Sequence, residues 1–299
     1  MHVPATIKMV EVGPRDGLQN ETNALSPIER VAVIKRLQAS GLQMIEAGSF
    51  VSPSWVPQMS DTDRVLASLN LEEGARYPVL VPNMKGFAAA LAAGVKDIAV
   101  FAAASETFSI RNINCSIEES FLRFYEVCEA AKDNGIAVRG YVSCVLGCPY
   151  EGSVDPVAVA DVAKKLIDAG CYEISLGDTV GVGTPAKAQE MIRSVTAQVP
   201  VEKLAAHFHD TYGQALANLL AVMELGVATI DSSVAGLGGC PYAQGAAGNV
   251  ASEDVLYMLE GMNVETGVDM ATLVDAGRYV CNLLDKQPVS KVSLAWKES

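Results

Sequence analysis

"DPVAVADVAKKLIDAGCYEISLGD", residues 155–178, holds a helix, a stop and a strand in succession. Asp155 suits the N-cap, where a short side chain accepts from the unpaired N–H groups of the first turn, and Pro156 suits the first helical position, where no N–H is needed. Apolar residues then recur at helical spacing until Gly170, whose freedom to adopt a left-handed backbone ends helices. "YEISLGD" (172–178) reads as a short buried strand. Outward in both directions the alternation repeats, with strand candidates "IKMVEV" (7–12), "MIEAGSF" (44–50), "YPVLVPN" (77–83), "DIAVFAA" (97–103), "AVRGYVSCV" (137–145), "KLAAHFH" (203–209) and "ATIDSSVAG" (228–236). Between them lie helical stretches such as "SPIERVAVIKRLQAS" (26–40), "TPAKAQEMIRSVTAQ" (184–198) and "QALANLLAVMELG" (214–226). Strands alternating with helices imply parallel βαβ units, and eight of them in about 240 residues predict an α/β fold, a (β/α)8 TIM barrel. The expected organisation is a single catalytic domain over 1–299, with the barrel at about 5–250 and additional C-terminal helices and a tail at about 251–299. The doubly wound alternative lacks support: no G-x-G-x-x-G follows the first strand and no G-x-x-x-x-G-K-[ST] occurs.

Half of the 299 residues are apolar, which suffices for a large core. A net charge of −13, from 22 Lys+Arg against 35 Asp+Glu, argues against nucleic acid or an anionic membrane as partner, because both demand a basic footprint. No apolar run is long enough to span a bilayer, and "MHVPATIKMVEV" lacks the features of a signal or transit peptide, so a cytoplasmic location is expected. Seven scattered cysteines fit free thiols in a reducing compartment. The tail, ending near Trp296, is expected to pack on the barrel or on a neighbouring subunit.

A barrel carries its chemistry where the strands end at the C-terminal face. Arg15 and Asp16 follow the first strand, with Gln19 close behind; Glu46 lies in the second; Asp178 and Thr179 end the sixth. His207 and His209, two of the three histidines, stand two apart on the seventh strand and so share a side. The eighth leads into "GLGGCPYAQGAAGN" (236–249), which holds Cys240 and Asn249. Taken singly, each has an ordinary explanation as a turn, a cap, an exposed pair or a buried thiol. Together they form a polar ring, and two imidazoles, a carboxylate and an amide oxygen suit a divalent cation, Mg²⁺ or Mn²⁺, better than structural zinc. Cys144 and Cys148 are too few for a zinc site of their own.

"VEVGPRDGLQNE" (10–21), "FVSPSWVPQM" (50–59), "RNINCSIEESF" (111–121), "HFHDTYGQALAN" (207–218) and "SVAGLGGCPYAQGAAGN" (233–249) resemble the 3-hydroxy-3-methylglutaryl-CoA lyases over about residues 5–285. These belong to a metal-dependent barrel superfamily shared with the isopropylmalate and homocitrate synthases. "SVAGLGGCPY" is specific to the lyases, whereas "RDG" and "H-x-H" are common to the superfamily. The resemblance implies cleavage of the acyl-CoA substrate into acetyl-CoA and acetoacetate, the reaction of leucine degradation. It implies metal ligands at Asp16, His207, His209 and Asn249, catalytic Arg15 and Cys240, and Glu46 and Asp178 lining the pocket. Arg15 is expected to hold the developing enolate, Cys240 to protonate it, and His207 or Asp178 to act as base, with Gln19 and Thr179 binding substrate. Lys85, Arg111 and helix N-termini are the candidates for the coenzyme A phosphates. A homodimer is expected. Three alternatives remain at this point: a synthase running in the condensation direction, a metal-dependent hydrolase, and a non-catalytic ligand-binding barrel.

Overall fold

The computed structural model describes residues 2–72, 74–238 and 248–297. Eight strands, β1 (Lys8–Glu11), β2 (Gly48–Ser49), β3 (Val79–Leu80), β4 (Asp97–Ala103), β5 (Ala137–Ser143), β6 (Glu173–Asp178), β7 (Leu204–Phe208) and β8 (Thr229–Ser232), form one sheet in the order β1-β8-β7-β6-β5-β4-β3-β2. Every ladder is parallel. Glu11 N–H donates to Met44 O and Glu46 N–H to Glu11 O, both at 2.9 Å, so the segment entering β2 joins β1 and the ring closes into a (β/α)8 barrel.

The second and third strands are shorter than the apolar runs that announce them. Residues 44–50 bond alternately to β1 on one side and to 76–80 on the other, and Pro78 has no N–H to donate, which confines the regular ladder to Val79–Leu80. Helices keep closer to their signals. α1 (Pro27–Ala39) carries a complete capping box between Ser26 and Glu29. The next four are α2 (Thr62–Leu66), α3 (Met84–Ala92), α4 (Glu106–Ile113) and α5 (Ile117–Asp133). Asp155 caps α6 (Pro156–Asp168) by accepting from Val157 N–H at 2.9 Å, and Gly170 has a φ of +106°. After α7 (Pro185–Thr196) and α8 (Ala215–Met223) come the additional C-terminal helices α9 (Ser252–Gly261), α10 (Met270–Leu283) and α11 (Lys291–Ala295). The tail packs on the barrel as expected: Trp296 lies half-buried against the core, and its carbonyl accepts from Arg278.

Period-2 alternation sorts each central strand into two faces. Val138 and Val142 of β5, Ile174 and Leu176 of β6, and Ile230 of β8 face outward into the apolar layer beneath the helices. Arg139, Tyr141, Glu173, Ser175 and Asp231 alternate with them; Arg139 of β5 and Ser175 of β6 both bond Asp231 of β8, across strands that are not neighbours in the sheet, so these side chains fill the barrel interior.

Candidate active site

At the end of β1 the chain enters a five-residue π-helical turn, Gly13–Gly17, which carries Arg15 and Asp16. Glycine is required at its ends. A Cβ on Gly13 would stand 2.6 Å from the Glu11 carboxylate, and one on Gly17 would stand 2.7 Å from Leu237. The turn aims Arg15 inward, where only 6% of it stays exposed. Its Nε and Nη2 both lie 2.7 Å from Glu46 Oε2, and Nη1 lies 2.6 Å from Asp16 Oδ1. Burial would pull the guanidinium pKa down, but Glu46 and Asp16 raise it above its ordinary value, so the group stays cationic.

Asp16 gathers the site around itself. Oδ1 also accepts from Gln19 Nε2 at 3.0 Å, and Oδ2 accepts from Asn249 Nδ2 at 2.8 Å. Asn249 reaches it because Asp210 and Val250 bond the chain at 248–250 back onto the end of β7. Asn249 gives its amide nitrogen to Asp16 and to Leu237 O, so its oxygen is the atom left to act as a ligand. His207 Nε2 lies 3.9 Å from Asp16 Oδ2, and the two imidazole centroids are 5.5 Å apart. Among the described residues, Asp16, His207 and His209 are the His, Cys, Asp or Glu group whose ligand atoms all lie within 4.8 Å of one another.

The electrostatics are those of a cation site. Burial would raise the Asp16 pKa, yet Arg15 and the imidazoles of His207 and His209 bring it down to about 2. Burial and the neighbouring His207 push His209 down to about 4, so it stays neutral and able to donate a lone pair. His209 Nδ1 is buried without a hydrogen-bond partner, an orphaned atom that a metal ion would satisfy. The neutral imidazole, the ionised carboxylate and the amide oxygen of Asn249 are donors that fit a divalent cation.

The other predicted residues have partners within the protein. Glu46 is fully buried behind Arg15, and its second oxygen accepts from Tyr141 OH at 2.8 Å, so it holds the arginine in place. Asp178, expected as a base, accepts from the N–H groups of Gly181, Val182 and Gly183 at 2.8–3.2 Å. Both its oxygens are thereby committed to shaping the loop after β6. Thr179 accepts from Cys144 N–H at 2.9 Å and clips that loop to the end of β5, while Gln19 steadies Asp16. Arg111 lies 4.3 Å over the Tyr150 ring, and Lys85 is exposed at the start of α3. Cys240 lies outside the described residues. The inward-facing Arg139, Tyr141, Ser175 and Asp231 were not anticipated. Their available signal was a charged residue inside an apolar strand, as in "AVRGYVS" and "ATIDSS".

A family model described as HMGL-like matches residues 6–280. The chain is 57% identical over 292 residues to "Hydroxymethylglutaryl-CoA lyase, mitochondrial" of Gallus gallus, covering 98% of each. It is 57% identical over 295 residues to the "3-hydroxy-3-isohexenylglutaryl-CoA/hydroxy-methylglutaryl-CoA lyase" of Pseudomonas aeruginosa, covering 99% of this chain and 98% of that one. The crystal structure of hydroxymethylglutaryl-CoA lyase from Pseudomonas aeruginosa superposes with a TM-score of 0.97 over 99% of this chain and 98% of that one.

Proposed function

The chain belongs to the hydroxymethylglutaryl-CoA lyase family, and on that premise we propose how its residues divide the work of the reaction. It is a lyase that cleaves 3-hydroxy-3-methylglutaryl-CoA into acetyl-CoA and acetoacetate. The C3 hydroxyl loses its proton as the C3 carbonyl forms. The electron pair of the C2–C3 bond passes into the thioester as an enolate, and C2 then takes up a proton.

Asp16, His207, His209 and the Asn249 oxygen would hold a divalent cation, Mg²⁺ or Mn²⁺ given a mixed set of two imidazole nitrogens and two oxygens with no thiolate. When bound, that ion supplies positive charge that orients the substrate oxygens and lowers the pKa of the tertiary hydroxyl. Arg15 is assigned to the negative charge that develops on the thioester oxygen. Support comes from its geometry: Glu46 takes Nε and Nη2 and Asp16 takes Nη1, which leaves two of the guanidinium's five N–H groups for an oxyanion. Cys240 is assigned to the proton delivered to C2, on its position in "GLGGCPY". A thiol with an ordinary pKa near ~8.5 is acidic enough to donate to a carbon that carries enolate charge.

One observation carries this reading. A buried, doubly clamped arginine adjoins a three-residue ligand cluster at the C-terminal end of the barrel. A synthase would share the metal and the arginine, so the discriminating experiment supplies two substrate sets to the same preparation with Mg²⁺ or Mn²⁺. Release of acetyl-CoA and acetoacetate in equal amounts from 3-hydroxy-3-methylglutaryl-CoA is expected, and no condensation of acetyl-CoA with a 2-oxo acid. The reverse outcome would make the chain a synthase.

No helix among the described residues is long and apolar enough to cross a membrane. A cytoplasmic location and a homodimer are part of the proposal. Sedimentation equilibrium at twice the chain mass is the result that fits the second.

A further inference from the structure

His207 and His209 sit two residues apart at the end of β7, yet among the described residues Asp231 backs His207 while His209 Nδ1 has no hydrogen-bond partner. Asp231, on the inward face of β8, has its Oδ2 3.3 Å from His207 Nδ1. That oxygen also accepts from Ser175 Oγ at 2.7 Å and Arg139 Nη1 at 2.9 Å, while Oδ1 accepts from Arg139 Nη2 at 2.7 Å. Arg139 is itself held by Glu173 Oε1 at 2.8 Å, and it donates to Tyr141 OH at 2.7 Å. Asp231 is 2% exposed and bonded from three directions, so its carboxylate cannot turn away from the imidazole.

We propose that Asp231 is a positioning residue that holds His207 in the Nδ1–H tautomer and thereby presents the Nε2 lone pair to the Asp16 side of the site. The inference rests on the reading of Asp16, His207, His209 and Asn249 as metal ligands. A neutral imidazole has one donor and one acceptor nitrogen, and the group bonded to one fixes the role of the other. An ionised carboxylate only accepts, so Nδ1 must carry the hydrogen. Nε2, 3.9 Å from Asp16 Oδ2, is then the nitrogen left with a lone pair. Two chains of bonds leave Arg139, one through Asp231 to His207 and one through Tyr141 and Glu46 to Arg15, so one buried guanidinium braces both halves of the site. A carboxylate serving only as counter-ion to Arg139 would need no imidazole against it.

The test uses the whole chain and two readouts. With three histidines in the sequence, ¹⁵N-histidine labelling gives an NMR spectrum in which His207 can be assigned by a single substitution. The metal-free protein at alkaline pH is expected to show His207 protonated at Nδ1. Mn²⁺ titration followed by electron paramagnetic resonance then reads affinity in three proteins. The double variant Arg139→Met/Asp231→Leu replaces a buried ion pair by apolar groups, an exchange that folds often tolerate. It is expected to lose the single tautomer and to bind Mn²⁺ about 10- to 100-fold more weakly. Asp231→Asn, whose amide oxygen can still accept from Nδ1–H, is expected to restore the tautomer and most of the affinity. The proposal is overturned if wild-type His207 carries its proton on Nε2, or if the folded double variant binds Mn²⁺ as tightly as wild type. Should the double variant not fold, the wild-type tautomer decides. A wild-type protein that binds no Mn²⁺ overturns the metal reading, and the tautomer still decides the role of Asp231.

Discussion

Arg15 and Asp16 adjoin in sequence and share a hydrogen bond, yet their substitutions should separate cleanly. Arg15→Lys keeps the charge but loses the planar fork that Glu46 and Asp16 hold. Steady-state kinetics should show kcat lower by about 10²- to 10³-fold, the usual effect of removing a preorganised oxyanion donor, with Mn²⁺ affinity nearly unchanged. Loss of metal instead would make Arg15 a support for Asp16. Cys240→Ser, with its far less acidic hydroxyl, should bind substrate and Mn²⁺ but turn over slowly, whereas near wild-type kcat would remove the thiol from the mechanism. The pH dependence follows from the imidazoles. Burial lowers the His207 pKa less than its hydrogen bond to Asp231 and the charge of Asp16 raise it, so it lies above the ordinary value, while His209 lies near 4. Protons compete with a cation for the same lone pairs. Of the two imidazoles His207 therefore takes up its proton first as pH falls, so Mn²⁺ affinity should decline by about tenfold per pH unit at most until His209 also titrates near 4. A hundredfold fall per unit would mean both imidazoles titrate together. At this scale the sequence displayed residues that follow strands into loops: Arg15, Asp16, Asn249 and the H-x-H pair. It hid what each one touches. Asp178 offered itself as a base, because nothing local announces three backbone N–H groups folding onto it, and Asp231 drew no reading at all.

Elements were legible where local chemistry and tertiary demand agree. Asp155, Pro156 and Gly170 bracket α6 in sequence as in space, and Ser26 with Glu29 starts α1. The short β2 and β3 were not legible, since their length depends on which neighbour each amide bonds. The carboxylates that pin the chain after β8 were equally invisible. Glu11 accepts from the N–H groups of Gly13 and Val234 and from Ser252 Oγ, and Glu253 of α9 accepts from Ala235 N–H, where φ is +57°. Burial outweighs these donors, pushing Glu11 up to about 7 and Glu253 up to about 8. A folded pKa above the unfolded value favours the protonated folded form, so this stability is complete below the ordinary carboxylate pKa and is lost as pH rises toward 7 and 8. Within that window each group changes stability by up to ~1.4 kcal/mol per pH unit. Denaturation midpoints should therefore decline from pH 5 to pH 8, and Glu253→Gln should flatten the decline. An unchanged slope in that variant would mean the donors keep Glu253 ionised throughout.

For the whole molecule, alternation and count pointed to a barrel, and the barrel forms; composition could not reveal that its interior would hold Arg139, Glu173 and Asp231 in place of aliphatic layers. That interior couples the site to the fold, so a bound cation should stabilise the entire chain. With Mn²⁺ at 100 times its dissociation constant, the added stability should be about 2.7 kcal/mol, read as a rise in Tm that vanishes in His209→Ala. The central claim is that one cation, held by Asp16, His207, His209 and Asn249, is required for the cleavage. Its most direct test strips the protein of metal, adds Mn²⁺ in steps, and reads bound ion and acetoacetate release on the same samples. Activity should rise in proportion to bound Mn²⁺, saturate at one ion per chain, and be absent from metal-free protein. Undiminished release without metal, or full release from an Asp16→Ala protein that binds none, would contradict it.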